Sequence, residues 1–527
     1  MSTAPVTVRD SVIQLLRKLG MTTVFGNPGS TELPFYTNWP ADFRYILGLQ
    51  ESVAVAMADG YAQATRNAAF VNLHSAAGVG HALGSIFTAY KNRTPLVITA
   101  GQQARSLLMT DPFLHAQYPT EFPKPYVKWS TEPARGRDVP AAIARAYFTA
   151  MQQPSGPTFV SIPSDDWEQP SEFVATRQVS FRVRSEPDLL GVVADALNGS
   201  RRPGLVVGPA VDRDKAWDLT VHLAERLEAP VWASPKSSRC SFPENHRLFA
   251  GFLPAERSRI ASSLSKYDVV LVLGAPAFSY HIETDGPSLP PDTRLFQIVD
   301  DPELASWAPL GTAIVSSLDL AISDLLDQVR IAERDAPLAR SISPAIQLPN
   351  EITVDFLMTT LAEVRPEGSI VAEEAPSSRG SMQKYLPILH SDGFFATASG
   401  GLGFGLPAAV GLALARPRQR VIALVGDGSS MYSIQALWSA AANDLSMTFV
   451  VIRNGTYAAL ADFAGRMSNA SPVGIDLPDI DFVSLARGHN CDGVRVERPQ
   501  ELKGVLEHAL QSTRTTVVEV VVGNQRS

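Results

Sequence analysis

Cysteine is nearly missing: 527 residues contain two, Cys240 and Cys491. With no metal-ligand spacing between them, they exclude a disulfide-stapled secreted scaffold and fit a reducing cytoplasm, the expected location. Long hydrophobic runs are absent too. Nowhere do about 18 apolar residues follow one another, so no membrane span is predicted. Residues 1–20 carry Arg9, Asp10, Arg17 and Lys18 with no continuous apolar stretch, which reads as an amphipathic helix and not a signal peptide. There is no excess of positive charge: 45 Lys and Arg stand against 53 Asp and Glu, for a net charge of −8. That balance argues against nucleic acid as the main partner.

What is present points to a globular α/β protein. Hydrophobic residues make up 45% of the chain and charged ones 19%, with Gly and Pro spread along it. The length exceeds one ordinary domain and suggests three. In the first third, helical patterns (8–19, 51–65, 78–92) alternate with strand patterns (23–25, 43–49, 69–73, 95–100), which indicates a parallel sheet covered on both faces. A polar stretch at 164–185 marks a linker. A second α/β unit follows, with strands at 204–207, 231–233, 269–273 and 294–299. The Pro-, Ser- and Asn-containing stretch 336–350 marks a second linker. The expected domains are 1–180, 186–340 and 342–527, each a doubly wound parallel sheet. The first and third share a βα style that permits duplication.

The most informative segment lies in the third unit. An apolar run, 421–425, stops at Gly426-Asp427-Gly428, and a second, 447–452, stops before Asn454, which stands 26 positions beyond Gly428. Apolar spacing by three and four over 432–443 predicts a helix between them. Alone, Gly-Asp-Gly is a common turn. Within a βαβ unit, the two strand ends bring a carboxylate, an amide oxygen and backbone carbonyls together where α/β folds bind ligands. All-oxygen donors suit Mg²⁺ that is shared with a phosphate. Glycines admit a phosphate closely, and a following helix N-terminus favours the anion.

In the first unit, three loops of one sheet edge offer a hydroxyl in 26–30 (GNPGS), a carboxylate at Glu51 and an imidazole at His74. Glu51 alone suits a helix N-terminus through the dipole. His74 alone suits a core histidine held by a carbonyl, and His281 alone an ordinary loop. Together the three loops make a candidate site.

Segments 26–35 (GNPGSTELPF), 42–47 (DFRYIL), 59–64 (DGYAQA), 72–78 (NLHSAAG), 100–103 (AGQQ), 127–129 (VKW), 274–276 (GAP) with Tyr280-His281, and 400–404 (GGLGF) resemble the thiamine-diphosphate-dependent 2-keto acid decarboxylases, and within them the benzoylformate decarboxylases. The resemblance runs from about residue 8 to 523. It implies three sheet domains of the thiamine-diphosphate enzyme type: a pyrimidine-binding, a middle and a diphosphate-binding domain. It implies Glu51 hydrogen-bonded to N1′ of the aminopyrimidine, and His74 and His281 as proton shuttles, a task that suits a side chain titrating near neutrality. Ser30 would hold the substrate carboxylate. Asp427, Asn454 and the Thr456 carbonyl would bind Mg²⁺, for which Ca²⁺ can substitute. Gly400, Leu402, Gly426, Gly428, Ser429, Tyr457, Ala458 and Leu460 would surround the cofactor, with Leu402 propping it in a bent shape. A homodimer at least, commonly a homotetramer, is implied, because Glu51 and the metal motif meet across a subunit interface in this family.

Phe113, Leu114, Leu460, Phe463 and Ile475 would line an apolar substrate pocket. Four positions depart from the family pattern: Ala396 for Phe, Asp462 for Trp, Pro376 for a small hydroxylated residue, and Arg453 for Asn. Losing the Phe would enlarge the pocket, and such changes redirect specificity by roughly 1–3 kcal/mol per contact. The expected reaction is non-oxidative decarboxylation of an aromatic 2-keto acid, benzoylformate to benzaldehyde and CO₂, with carboligation as a side activity. The alternatives are a synthase of the acetolactate type, another 2-keto acid decarboxylase, or a non-catalytic homologue. A middle domain that carries FAD would favour the synthase, but 204–208 is not a Gly-x-Gly-x-x-Gly fingerprint.

Overall fold

A computed structural model describes residues 5–523 except 335–336, 338–339, 341–345, 468–471 and 478. The expected linker 336–350 therefore lies partly outside the described residues. Short runs rich in Val, Ile and Leu, such as Ala69–Leu73 and Val269–Leu273, are buried along their whole length. Burial on both faces is the condition of a central strand in a helix-covered parallel sheet. Among the described residues, eighteen strands, the central ones of this kind, form three six-stranded sheets, paired in parallel throughout.

The first sheet runs, edge to edge, Arg44–Leu47, Thr23–Gly26, Ala69–Leu73, Leu96–Gln102, Thr158–Pro163, Ser130–Thr131. The third runs Phe394–Ala396, Ile370–Glu374, Val421–Gly426, Thr448–Arg453, Thr516–Val521, Asp492–Val496. Numbered within each sheet, both have the order 2-1-3-4-6-5, which matches the shared style of the two sequences. The middle sheet differs. Its strands lie Thr312–Val315, Arg294–Val299, Val269–Leu273, Pro203–Val207, Val231–Ala233, Phe249–Phe252, the 3-2-1-4-5-6 order of dinucleotide-binding folds read from the far edge.

One apolar core joins the first and third sheets. Its central contact is between helices Glu51–Thr65 and Gly405–Ala415, where Val53, Met57 and Ala58 share a cluster with Leu406, Ala409 and Val410. Glycines set the approach. A β-carbon on Gly60 would lie 2.2 Å from the Ala408 carbonyl oxygen, and one on Gly411 would lie 1.9 Å from that of Met57. Residue 60 meets 408 while 57 meets 411, so the helices run antiparallel.

An ionic node ties in the middle domain. Arg239, buried there, bonds Asp212 Oδ2 through Nε at 2.7 Å, pairs with Asp392 of the C-terminal domain, and stacks on Phe395. Asp392 also receives Arg66 (3.0 Å), the C-cap of the Glu51–Thr65 helix, and Arg416 (3.2 Å). Two carboxylates and three guanidiniums compensate one another there, and removing one partner of such a buried set is costly.

The predicted helix 432–443 shortens to Ala436–Ala442, preceded by the four-residue helix Asp427–Ser430. The serines of Gly428-Ser429-Ser430 sit in that first turn, and the chain must bend before the Ala-rich run can pack.

Gly411→Ala places a methyl group against a carbonyl that cannot withdraw without moving its helix. We expect destabilisation of about 1–3 kcal/mol, read as a lower denaturation midpoint, with Gly504→Ala as a comparison, since a β-carbon there would meet nothing within 4 Å.

Candidate active site

Strands Thr23–Gly26, Arg44–Leu47 and Ala69–Leu73 are neighbours, so the loops after them share one edge. Gly29 lies under the His74 ring, because a β-carbon there would fall 2.0 Å from Nδ1. His74 Nδ1 sits 2.8 Å from Glu32 Oε2. Glu32, fully buried, also accepts from Gly29 N (2.8 Å), Gly101 N (2.9 Å) and Thr31 Oγ1 (2.6 Å). An ionised carboxylate only accepts, so Nδ1–H donates and Nε2 is left for chemistry. Glu32 lies inside the loop singled out in the sequence but was not assigned a role there. A carboxylate among glycines two residues past Ser30 was the available signal.

Glu51 opens its helix yet does not cap it. The Gln50 side chain takes that role, accepting from Ser52 N at 2.7 Å. The Glu51 carboxylate instead meets His81 Nδ1 at 3.1 Å and Asn27 Nδ2 at 3.4 Å, in space that Gly78 leaves free. Ser30 lies exposed on the same edge.

The second group of residues stands on the third sheet. Gly426 pairs with Ile452, which sets Asp427 and Asn454 side by side at adjacent strand ends. Asp427 accepts from Gly428 N (2.8 Å), Asn454 N (3.0 Å) and Gly455 N (2.7 Å). Burial pushes its carboxyl above the usual range while those N–H groups oppose the shift. Asn454 Oδ1 accepts from Thr456 N at 3.1 Å. The Tyr457 ring covers Gly428, where a β-carbon would lie 2.4 Å from it. The Ile475 carbonyl straps this loop down by accepting from Tyr457 N (2.8 Å) and Thr456 Oγ1 (3.0 Å). Ala458 begins the helix Ala458–Met467 that carries Leu460 and Phe463.

Gly400 and Gly455, both at positive φ, front open space, since added β-carbons would meet nothing within 4 Å. Glu374 fixes the loop of Leu402 by accepting from Gly403 N (2.7 Å), Phe404 N (2.7 Å) and Gly405 N (2.6 Å). Burial pushes its carboxyl up to about 7. Arg453 has a plain role. It neutralises the fully buried Glu519 (3.0 Å), a task shared with Arg495 (3.1 Å), and reaches Asp479 at 2.8 Å.

His281 reaches this second group from the middle domain. In the 3-2-1-4-5-6 order, the crevice for a dinucleotide opens between Pro203–Val207 and Val269–Leu273. Here the two loops close on each other: a β-carbon on Gly208 would lie 2.4 Å from that of Ala275 and 2.7 Å from the Gly274 carbonyl oxygen, and one on Gly274 2.9 Å from that of Ala210. The loop leaving that point carries His281, anchored by its N–H to the Ala255 carbonyl (2.8 Å), with its ring edge-on to Phe463 at 4.6 Å. Burial, then the nearby Lys236 cation, lowers the His281 pKa.

The two groups lie apart within one chain. In the antiparallel register Gly405 falls opposite residue 63, twelve helical positions from Glu51, or about 18 Å. A second helix agrees. Ser399 and Ala398 bond Thr88 (2.9 Å) and Asn92 (2.8 Å) at the far end of Ser75–Lys91 from Gly78, the residue that touches Glu51. Ten residues separate Thr88 from Gly78, about 15 Å. The structure thus unites Ser30, Glu51 and His74, and separately Asp427, Asn454, Thr456, Phe463 and His281. The apolar wall residues Phe113 (86% exposed) and Leu460 (54%) stand open. Leu114 is half-buried at positive φ, and Ala396 is buried in the C-terminal core cluster.

Three family models match the chain: "Thiamine pyrophosphate enzyme, N-terminal TPP binding domain" over 6–120, "Thiamine pyrophosphate enzyme, central domain" over 190–325, and "Thiamine pyrophosphate enzyme, C-terminal TPP binding domain" over 377–520. A benzoylformate decarboxylase of Pseudomonas aeruginosa is 43% identical over 519 residues, covering 98% of each chain. The crystal structure of benzoylformate decarboxylase from Polynucleobacter necessarius superposes with a TM-score of 0.96 at 40% identity, covering 98% of both. A thiamine diphosphate-dependent 4-hydroxybenzoylformate decarboxylase of Rhodococcus jostii RHA1 gives 0.96 at 39%, covering 99% of this chain and 100% of that one.

Removing the cation beside His281 should raise its titration point toward the ordinary 6.5. We expect Lys236→Gln to shift the His281 imidazole resonances to a higher midpoint in an NMR pH titration, leaving more imidazolium at a given pH below neutrality. An unchanged midpoint would assign the depression to burial alone.

Proposed function

The chain belongs to the thiamine pyrophosphate enzyme family, and on that premise we propose that it converts benzoylformate to benzaldehyde and CO₂ at sites that two copies build together. It is a thiamine-diphosphate-dependent carboxy-lyase of the benzoylformate decarboxylase type, acting on an aromatic 2-keto acid. The observation that carries the residue assignment is the Glu32–His74 pair beside Glu51. A buried carboxylate devoted to fixing an imidazole tautomer is proton-transfer equipment, and holding a cofactor does not require it.

The residues fit the cofactor. Asp427 and Asn454 side-chain oxygens with the Thr456 carbonyl make a hard donor set that would hold Mg²⁺ against a diphosphate. Bare backbone at Gly400 and Gly455 faces open space that such a group can enter. Bound there, thiamine diphosphate supplies a nucleophilic ring carbon and a sink for the electrons released with CO₂. The chain's own groups do the rest. Glu51 holds or moves a proton at N1′ of the aminopyrimidine. Ser30 donates its hydroxyl to the substrate carboxylate. His74, its Nδ1 held by Glu32, presents Nε2 to the reacting oxygen and holds or moves a proton there. His281, kept neutral by burial and Lys236, accepts a proton in the later half of the cycle.

The separation of the two groups within one chain supports a dimer in which each site takes Glu51, Ser30 and His74 from one copy and Asp427, Asn454 and His281 from the other. A two-fold pairing completes two sites at once. The exposed Met109, Phe113, Tyr118 and Phe122 supply an apolar surface for it. A homotetramer of two such dimers satisfies the same geometry. Joining the product carbon to a second aldehyde, which gives 2-hydroxy ketones, is an expected side activity of the same groups.

One observation favours a second substrate. His115, paired with Asp111 at 2.9 Å, follows Phe113 and Leu114 in the chain, and is the candidate partner for a ring hydroxyl. 4-Hydroxybenzoylformate is therefore the alternative acid.

We expect Glu51→Gln to lower kcat by roughly 10²–10⁴-fold with an unchanged circular-dichroism spectrum; near-wild-type CO₂ release would sink the assignment. In a panel of keto acids assayed with thiamine diphosphate and Mg²⁺, benzoylformate should show the highest kcat/KM. Preference for 4-hydroxybenzoylformate, reduced by His115→Leu, would favour the alternative acid.

A further inference from the structure

Two carboxylate–imidazole pairs stand on the first sheet's edge, and the second has no part in the reaction described so far. His81 Nδ1 lies 3.1 Å from Glu51 Oε2. His81 follows Gly78 by three residues on helix Ser75–Lys91, so both face the same neighbour. Gly78 makes room, since a β-carbon there would lie 3.2 Å from Glu51 Cγ and Oε1. The two carboxylate oxygens are held unequally: Oε2 has the imidazole, while Oε1 has the long 3.4 Å contact from Asn27. Burial is unequal as well. The Glu51 side chain is 10% exposed and that of His81 62%, so the imidazole reaches the carboxylate from the solvent side.

We propose that His81 is a positioning residue for Glu51: its Nδ1–H occupies Oε2, so the proton that Glu51 exchanges resides on Oε1. The proposal rests on the reading of Glu51 given above. The arrangement inverts the neighbouring pair. There a buried carboxylate fixes a histidine; here a histidine fixes a carboxylate. With Oε2 acting as an acceptor, a proton on Glu51 has one free oxygen to bind, and rotation about the terminal torsion is restrained. No further co-reactant is needed, because the proton passes between Oε1 and its partner while His81 keeps its own.

The test has two arms. In the protein without cofactor, ¹⁵N-histidine NMR should show His81 protonated at Nδ1, with its nitrogen shifts moving in Glu51→Gln. An Nδ1 without its proton, or shifts indifferent to Glu51→Gln, would overturn the proposal without reference to catalysis. In turnover, His81→Ala should lower kcat about tenfold, the scale of lost outer-layer partners, with KM for benzoylformate and affinity for thiamine diphosphate within twofold. His81→Asn sets an amide N–H where Nδ1 stood and should recover most of that loss. Wild-type turnover in His81→Ala, or an Asn variant as slow as the Ala variant, would overturn it. If Glu51→Gln is inactive while His81→Ala turns over at the wild-type rate, the role of Glu51 stands and that of His81 falls; if Glu51→Gln is active, the Glu51 reading itself fails.

Discussion

Bare backbone against bare backbone, between helices Glu51–Thr65 and Gly405–Ala415, is the constraint on which the architecture turns. With Gly60 and Gly411 at the crossing, each helix reaches a carbonyl of the other, and no side chain can adjust the distance. That contact fixes the antiparallel register, joins the first and third sheets into one core, and sets their ligand-facing edges apart. An interior packed to crystal-like density transmits this register without slack. The pairing of two copies proposed above thus follows from intrachain packing. It arises before any subunit surface is considered.

Around that frame, the buried carboxylates follow one rule. Glu32 has two backbone N–H groups, a hydroxyl and an imidazole. Asp427 has three N–H groups, and Glu374 has three. Glu519 has two guanidiniums. Each would be costly to bury alone; Glu32, Asp427 and Glu374 draw their donors from loops at the sheet edges, and Glu519 draws its own from the two neighbouring strands. Polar satisfaction and site geometry are here the same interactions. A change at any of these residues is accordingly felt as a misplaced loop more than as a lost charge.

Much of this was legible in the sequence, for definite reasons. Strands buried on both faces are continuous apolar runs, so three sheets could be read from 69–73, 269–273 and 421–425. Gly426-Asp427-Gly428 and Asn454 could be placed at neighbouring strand ends because a βαβ unit leaves few other arrangements. Glu32 and Glu374 were not legible as anchors. Their partners are backbone N–H groups, which every residue carries and no pattern marks. His81 was hidden within an Ala- and Gly-rich helix, where its pairing with Glu51 depends on Gly78 being small. The role of Arg453 required knowing that Glu519, which pairs with Val451, lies diagonally across from it on the neighbouring strand, within reach of its guanidinium. The shortened helix Ala436–Ala442 could not be foreseen from periodicity, because the turns before it are still apolar in pattern.

The middle domain has the strand order of a nucleotide binder, yet Gly208, Gly274 and Ala275 have closed its crevice and the loop beyond them extends to Phe463. A fold whose usual business is holding a ligand has become a bracket for one imidazole. On the assignment proposed above, cofactor retention and the His281 imidazole reside in different domains, joined through Arg239 and Asp392. On that assignment, exchange or drift of the middle domain would alter the surroundings of one imidazole while Asp427, Asn454 and their loops stayed as they were, a division of labour along which one scaffold can diversify its chemistry.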